Sequence, residues 1–120
     1  MSTAKFVIQQ HTTPTGVHWD FMLEEEDRLL TWRINCPPEK IGRNTIEAVK
    51  IFDHSLRFLT YEGPVRQETG QVQIAEAGTY KRLEWTDDSL LITLCGRILN
   101  GRFRLQKQNE IWFLQQLSDV

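Results

Sequence analysis

From His18 to Glu24 polar and apolar side chains alternate. Trp19, Phe21 and Leu23 fall on one side of an extended chain, and His18, Asp20, Met22 and Glu24 on the other. That period of two predicts a strand with one chemically rich face. Upstream, Lys5 to His11 opens as Phe6-Val7-Ile8 and turns polar, and Thr12-Thr13-Pro14-Thr15-Gly16 is turn chemistry that ends the segment. Glu25-Glu26-Asp27 forms an acidic turn before a strand over Leu29 to Ile34, which predicts a hairpin, and Cys36-Pro37-Pro38 then breaks any regular element. Helix signals are few: Pro38 to Asn44 and Ser55 to Leu59 each fit a helical turn. Ile46 to Phe52 fits a strand closed by His54, and Gly70 to Ala75 alternates through Val72 and Ile74 before a turn read at Ala77-Gly78. Thr79 to Trp85, Leu90 to Cys95, Gly101 to Gln106 and Ile111 to Leu117 follow as strands, separated by Asp87-Asp88, Asn100-Gly101 and Gln108-Asn109. About eight short strands predict a mainly β domain, either a barrel or a sandwich.

The 120 residues fit one domain over 1–120, with no internal repeat, low-complexity tract or linker. Lys plus Arg number 14 and Asp plus Glu 16, a net charge of −2, so the overall field does not gather nucleic acid and any such contact needs a local patch. Arg97, Arg102, Arg104 and Lys107 form one, with no acidic residue until Glu110, although the alternation of Arg102 and Arg104 with Phe103 and Leu105 also fits a solvated outer face. Trp19, Trp32, Trp85 and Trp112 have the rings to stack on bases, but each lies in an apolar strand context that suits core packing. Cys36 and Cys95, without a Cys-x-x-Cys pair, argue against a thiolate zinc site or a disulfide scaffold and fit a reducing, cytoplasmic setting. Neither an export signal nor a run of ~18 apolar residues is present, so no membrane association is expected. A Gly-rich phosphate loop and a Gly-x-Ser-x-Gly elbow are both missing.

Two of the three histidines lie in the string from His11 to Asp20. His18 and Asp20 project from the same side of their strand, and His11, at the end of the preceding strand, can meet them across the turn. Two imidazoles and a carboxylate suit a catalytic divalent ion such as Mn²⁺, Fe²⁺ or Zn²⁺ with open coordination positions. The bland alternative is a hydrogen-bonded surface pair. Asp53-His54 fits acid–base work or a phosphate grip, or simply a capping Asp beside an exposed His.

Five segments, in order, carry a family resemblance: Phe6-Val7-Ile8-Gln9-Gln10-His11; His18-Trp19-Asp20-Phe21-Met22-Leu23-Glu24; Asp53-His54-Ser55-Leu56; Tyr61-Glu62-Gly63; and Gly101-Arg102-Phe103-Arg104-Leu105. Together they resemble the 3′-phosphoesterase domain of bacterial DNA ligase D. The resemblance implies a mainly β fold: a small closed or nearly closed β-barrel of about eight strands, with one or two short helical segments and a groove on one side. It also implies a metal-dependent DNA-repair enzyme that uses Mn²⁺, or another divalent ion such as Zn²⁺ or Co²⁺. Such an enzyme removes a 3′-terminal ribonucleoside and then a 3′-phosphate to leave a 3′-hydroxyl. By carry-over His11, His18 and Asp20 hold the metal, and His54 completes the catalytic set by contacting the scissile phosphate. Implied partners are DNA 3′ ends or another phosphoester, and a separate ligase or polymerase.

This chain departs from the family motif at two donors: Met22 stands where the family has Arg, and Phe58 where it has Tyr. Arg57 and Tyr61 are the candidate replacements, and if the missing Arg limits the rate, Met22→Arg raises turnover. One more residue separates His11 from His18 than the family pattern has, and the glycine-rich stretch after Glu62-Gly63 is shortened. The departures leave room for a catalytically impaired module that binds metal and holds a DNA end or repair partner through Arg102 and Arg104. Two histidines and one carboxylate are also the ligands of non-haem metal oxygenases.

Overall fold

Strands β1 (Ala4–Thr13) and β2 (Gly16–Glu25) form an antiparallel hairpin whose register sets Ile8 opposite Phe21, Gln9 opposite Asp20 and His11 opposite His18. The Pro14-Thr15 tip is held by Thr13, whose hydroxyl accepts from the Thr15 amide and reaches the Gly16 carbonyl at 3.2 Å. The structure is a computed structural model that describes residues 4–65 and 70–118. The beginning of the Met1 to Lys5 lead-in and most of the shortened stretch after Gly63 fall outside the described residues.

The remaining strands are β3 (Arg28–Ile34), β4 (Ile46–Ser55), β5 (Gly63–Pro64), β6 (Gln71–Trp85), β7 (Ser89–Gly96), β8 (Asn100–Gln108) and β9 (Ile111–Gln116). All pairings are antiparallel in the order β1-β2-β3-β4-β9-β8-β7-β6, and β6 returns to pair with β1, so eight strands close into a barrel with β5 added on the free side of β6. The sequence expectation of a small, closed, mainly β barrel holds. Its helical turns are single 3-10 turns, Pro38–Lys40 and Leu56–Leu59, the second capped by Ser55, whose hydroxyl accepts from the Arg57 amide. No described helix is long and apolar enough to cross a membrane.

Inward side chains alternate along the regular stretches of the strands, as the period of two requires. Phe6, Ile8, Phe21, Leu23, Trp32, Ile34, Ile92, Leu94, Phe103, Leu105 and Leu114 fill the barrel. Trp32 is fully buried there, and Trp19, Trp85 and Trp112 pack against the same core, which accounts for all four tryptophans as packing residues. A second, smaller apolar cluster lies on the outer wall. Val7, Met22 and Leu29 point away from the barrel and are covered by Leu56, Phe58 and Leu59 of the 3-10 turn and by Ile74. Beside this cover, Gln9 and His11 of β1 and Asp20 of β2 line a groove that the 3-10 turn borders with Arg57 and Phe58.

Ala77-Gly78 is not a turn: β6 runs through it for 15 residues. Gly78 is needed for close approach, because a Cβ there would lie 2.1 Å from the Cys95 carbonyl oxygen of β7. Just before it, the β1–β6 register shifts between Ile8 and Gln9, so that Ile8 faces Glu76 and Gln9 faces Ile74. That bulge sends the Glu76 side chain inward. Glu76, 2% exposed, accepts from the Ala77 and Arg97 amides on one carboxylate oxygen and from the Ile98 and Leu99 amides on the other, at 2.7 to 3.1 Å. It thereby closes the β7–β8 turn, where a Cβ on Gly96 would sit 2.5 Å from its Oε2. Glu76→Gln turns one acceptor into a donor facing amide donors and is expected to cost about 2–4 kcal/mol. A urea midpoint lowered at unchanged m-value would show it, and an unmoved midpoint would contradict it.

Candidate active site

The hairpin register assembles the site. His11 on β1 and His18 on β2 are directly opposed, and both point outward. Their rings meet edge to face with centroids 4.6 Å apart, and His11 Nδ1 lies 3.0 Å from His18 Nε2, one donating to the other. Asp20, two residues along the same face, places Oδ2 3.7 Å from His18 Nε2. One ligand atom from each of the three lies within 4.8 Å of the others. His11 and Asp20 are each 3% exposed, so their side chains are held by the surrounding protein while they border the groove.

A divalent ion fits this donor set. Two imidazole nitrogens on one ion at metal–nitrogen distances near 2.0–2.1 Å stand roughly 3.0–3.4 Å apart, which matches the 3.0 Å seen here. Outer contacts fix the carboxylate as well. Arg33, the cross-strand partner of Asp20 on β3, donates from Nε to Oδ1 at 3.2 Å, and Oδ2 is the oxygen that lies towards His18.

His54 stands on β4, in the lining of the same groove as His11 and Asp20. Its Nδ1 lies 3.1 Å from the Phe52 carbonyl and 3.0 Å from the Thr31 hydroxyl, which itself donates to the Leu29 carbonyl. A carbonyl oxygen only accepts, so Nδ1 carries the proton. The opposite nitrogen, Nε2, is then an acceptor in the neutral ring and a donor in the imidazolium. Asp53 does not orient the ring, as one sequence reading had it. Asp53, the residue before His54 on the strand, pairs instead with Arg28 Nε at 3.0 Å and Lys50 Nζ at 3.6 Å.

The groove has a volume of about 920 Å³ and is walled by Gln9, Phe52, Arg57, Phe58 and Tyr61 besides His11, His54 and Asp20. Gln9 ties its outer rim to the barrel by donating to the carbonyls of Phe58 and Tyr61 at 3.0 and 2.8 Å. Both candidate replacements for the missing family donors border it. The Tyr61 hydroxyl donates to the Pro64 carbonyl, and the Arg57 guanidinium lies 4.6 Å from the Tyr61 ring centre and 5.1 Å from that of Phe58. The Tyr61 hydroxyl is already donating, whereas a guanidinium has five N–H groups, so Arg57 is the better placed to offer donors to an anion.

Two sequence expectations change, at Met22 and at the pair Arg102 and Arg104. Met22 is 0% exposed beneath the 3-10 turn, so the position holds a packing side chain. Met22→Arg is therefore expected to cost at least about 2 kcal/mol without raising turnover, because it buries a charge among Leu56, Phe58 and Leu59. Paired denaturation and turnover assays test this, and a stable, faster Met22→Arg protein would restore the missing-donor account. Arg102 and Arg104 sit on β8, across the barrel from β1 and β2, where Arg102 donates to the Ser118 carbonyl and Arg104 faces Glu84 at 3.7 Å. They do not reach the groove. Arg33 and Thr31, which orient Asp20 and His54, were not singled out in the sequence; the outward parity of Leu29, Thr31 and Arg33 was the available signal.

Comparison with known proteins adds the following. The family model for the DNA ligase D 3′-phosphoesterase domain matches residues 9–107. The multifunctional non-homologous end joining protein LigD of Mycobacterium bovis is 30% identical over 125 residues, covering 95% of this chain and 16% of that protein. The multifunctional non-homologous end joining DNA repair protein LigD of Mycobacterium tuberculosis (strain CDC 1551 / Oshkosh) gives the same figures. LigD of Pseudomonas aeruginosa is 28% identical over 130 residues, covering 96% of this chain and 15% of that protein. The chain thus spans about one-sixth of the length of these relatives.

Proposed function

Because the chain belongs to the DNA ligase D 3′-phosphoesterase domain family, we propose that it hydrolyses phosphoesters at DNA 3′ ends with the help of a divalent ion. The observation that carries this reading is the meeting of His11, His18 and Asp20 across the β1–β2 register at the edge of an open groove. Those three residues would hold the ion, Mn²⁺ in line with the family resemblance and Zn²⁺ or Co²⁺ by donor chemistry. A divalent ion there supplies Lewis-acid polarisation of a phosphoryl oxygen.

The chain's own groups do the rest. Arg33 holds one oxygen of Asp20 and so sets the direction of the other. His54, fixed through Nδ1 by the Phe52 carbonyl and Thr31, presents Nε2. As imidazolium it donates a charge-assisted hydrogen bond to a non-bridging oxygen whose charge grows in the transition state. Arg57 adds a second cation on the groove wall. The product is a 3′-hydroxyl and inorganic phosphate from a 3′-phosphate, and a terminal ribonucleoside is the leaving group in the preceding step. Such a product suits a separate ligase or polymerase acting next in repair.

A second reading has one observation in its favour: Met22 and Phe58 replace two family donors, which fits a module that binds metal and a DNA end without turnover. Metal-free protein supplied in turn with Mn²⁺, Zn²⁺, Co²⁺ or Fe²⁺, and offered primer-templates bearing a 3′-phosphate or one terminal ribonucleotide, separates the readings. We expect metal-dependent 3′-hydroxyl ends. Tight Mn²⁺ binding without conversion would favour the module, and oxygen uptake with Fe²⁺ would favour an oxygenase.

A further inference from the structure

Phe52 is a large apolar side chain left 62% exposed, yet it belongs to the groove lining and to neither apolar cluster. Its ring lies parallel to that of His54, with centroids 4.8 Å apart and planes inclined by 7°. Cα atoms two apart on a regular strand stand roughly 6.6–6.8 Å apart, so rings stacked at 4.8 Å lean toward each other. The β3–β4 register is irregular here: Leu29 pairs with His54 but Thr31 with Ile51, so three steps on β4 match two on β3. This bulge bends β4 and aims Phe52 over the imidazole, as bulges beside functional sites do. One face of Phe52 is thus taken by His54, and at this exposure the other lies open to the groove.

An open aromatic face next to a phosphate-directed imidazole suits a flat partner carrying a phosphate. We propose that Phe52 is a binding residue for the nucleobase of the nucleotide that carries the scissile 3′-phosphoester, a proposal that rests on the 3′-end reading above. The base continues the stack of base, Phe52 and His54, and its own phosphoester is thereby delivered to His54 Nε2. Every base has a π-face, so the contact selects for the presence of a base and not for its identity. Arg57, on the same wall, is available to the neighbouring phosphate.

The test measures equilibrium binding by fluorescence anisotropy in Mn²⁺, using fluorescein-labelled primer-templates whose last primer unit, ending in a 3′-hydroxyl, is either thymidine or an abasic tetrahydrofuran. Wild type is expected to bind the thymidine end on the order of tenfold more tightly than the abasic end. Phe52→Ala should erase that difference and Phe52→Trp should retain it. Because the side chain is exposed and outside the core, both variants should fold. A Phe52→Ala protein that keeps the thymidine preference, or loses affinity equally for both ends, overturns the stacking role while leaving 3′-phosphate conversion by wild type to stand. No wild-type binding to either end overturns the stacking role and the DNA-end reading together.

Discussion

Alanine at His18 is expected to weaken Mn²⁺ binding by more than about 100-fold, since losing even an outer partner of a metal ligand costs about 10–100-fold. Release of phosphate from a DNA 3′ end should fall by on the order of 10³. His18 is the pivot of the cluster: its Nε2 lies 3.0 Å from His11 Nδ1 and 3.7 Å from Asp20 Oδ2, so its removal leaves the two remaining donors without their shared neighbour. The change should be local, because the ring points outward from the barrel and its strand is held by backbone pairing to β1 and β3. Electron paramagnetic resonance of free Mn²⁺ during titration reads the affinity. Unaltered affinity in the His18→Ala protein would remove His18 from the ligand set.

His54→Ala is expected to separate chemistry from metal binding. Turnover should drop by about 10²–10³, the usual cost of losing a donor aimed at developing transition-state charge, with Mn²⁺ affinity unchanged. The separation follows from placement. His54 is anchored on β4 by the Phe52 carbonyl and Thr31, while the proposed metal ligands lie on β1 and β2. Steady-state rates on a 3′-phosphate end beside the same Mn²⁺ titration check both halves. A His54→Ala protein with undiminished kcat would assign the transition-state contact elsewhere, to Arg57 first.

The alternation around His18 to Glu24 made the hairpin, its faces and the grouping of His18 with Asp20 legible, because a period of two has only one way to place side chains on a strand. His11 came within reach of them by the same logic. What a single strand's pattern lacks is register. The partnerships of Asp20 with Arg33 and of His54 with Thr31 depend on how β2, β3 and β4 are paired, and parity narrows that choice without making it. Gly78 misled for a different reason: a glycine that admits a neighbouring backbone looks the same in sequence as one that turns the chain. Met22 was legible as outward-facing but not as buried, since the 3-10 turn that covers it is recruited from more than thirty residues downstream.

The central claim is that His11, His18 and Asp20 form a metal centre that heals DNA 3′ ends. Its most direct test is one gel in which metal-free wild-type and His11→Ala proteins meet a 5′-labelled primer-template ending in a 3′-phosphate, with and without Mn²⁺. The account predicts a 3′-hydroxyl product only where wild-type protein and Mn²⁺ are together. Equal conversion by His11→Ala, or by wild type stripped of metal, would contradict it.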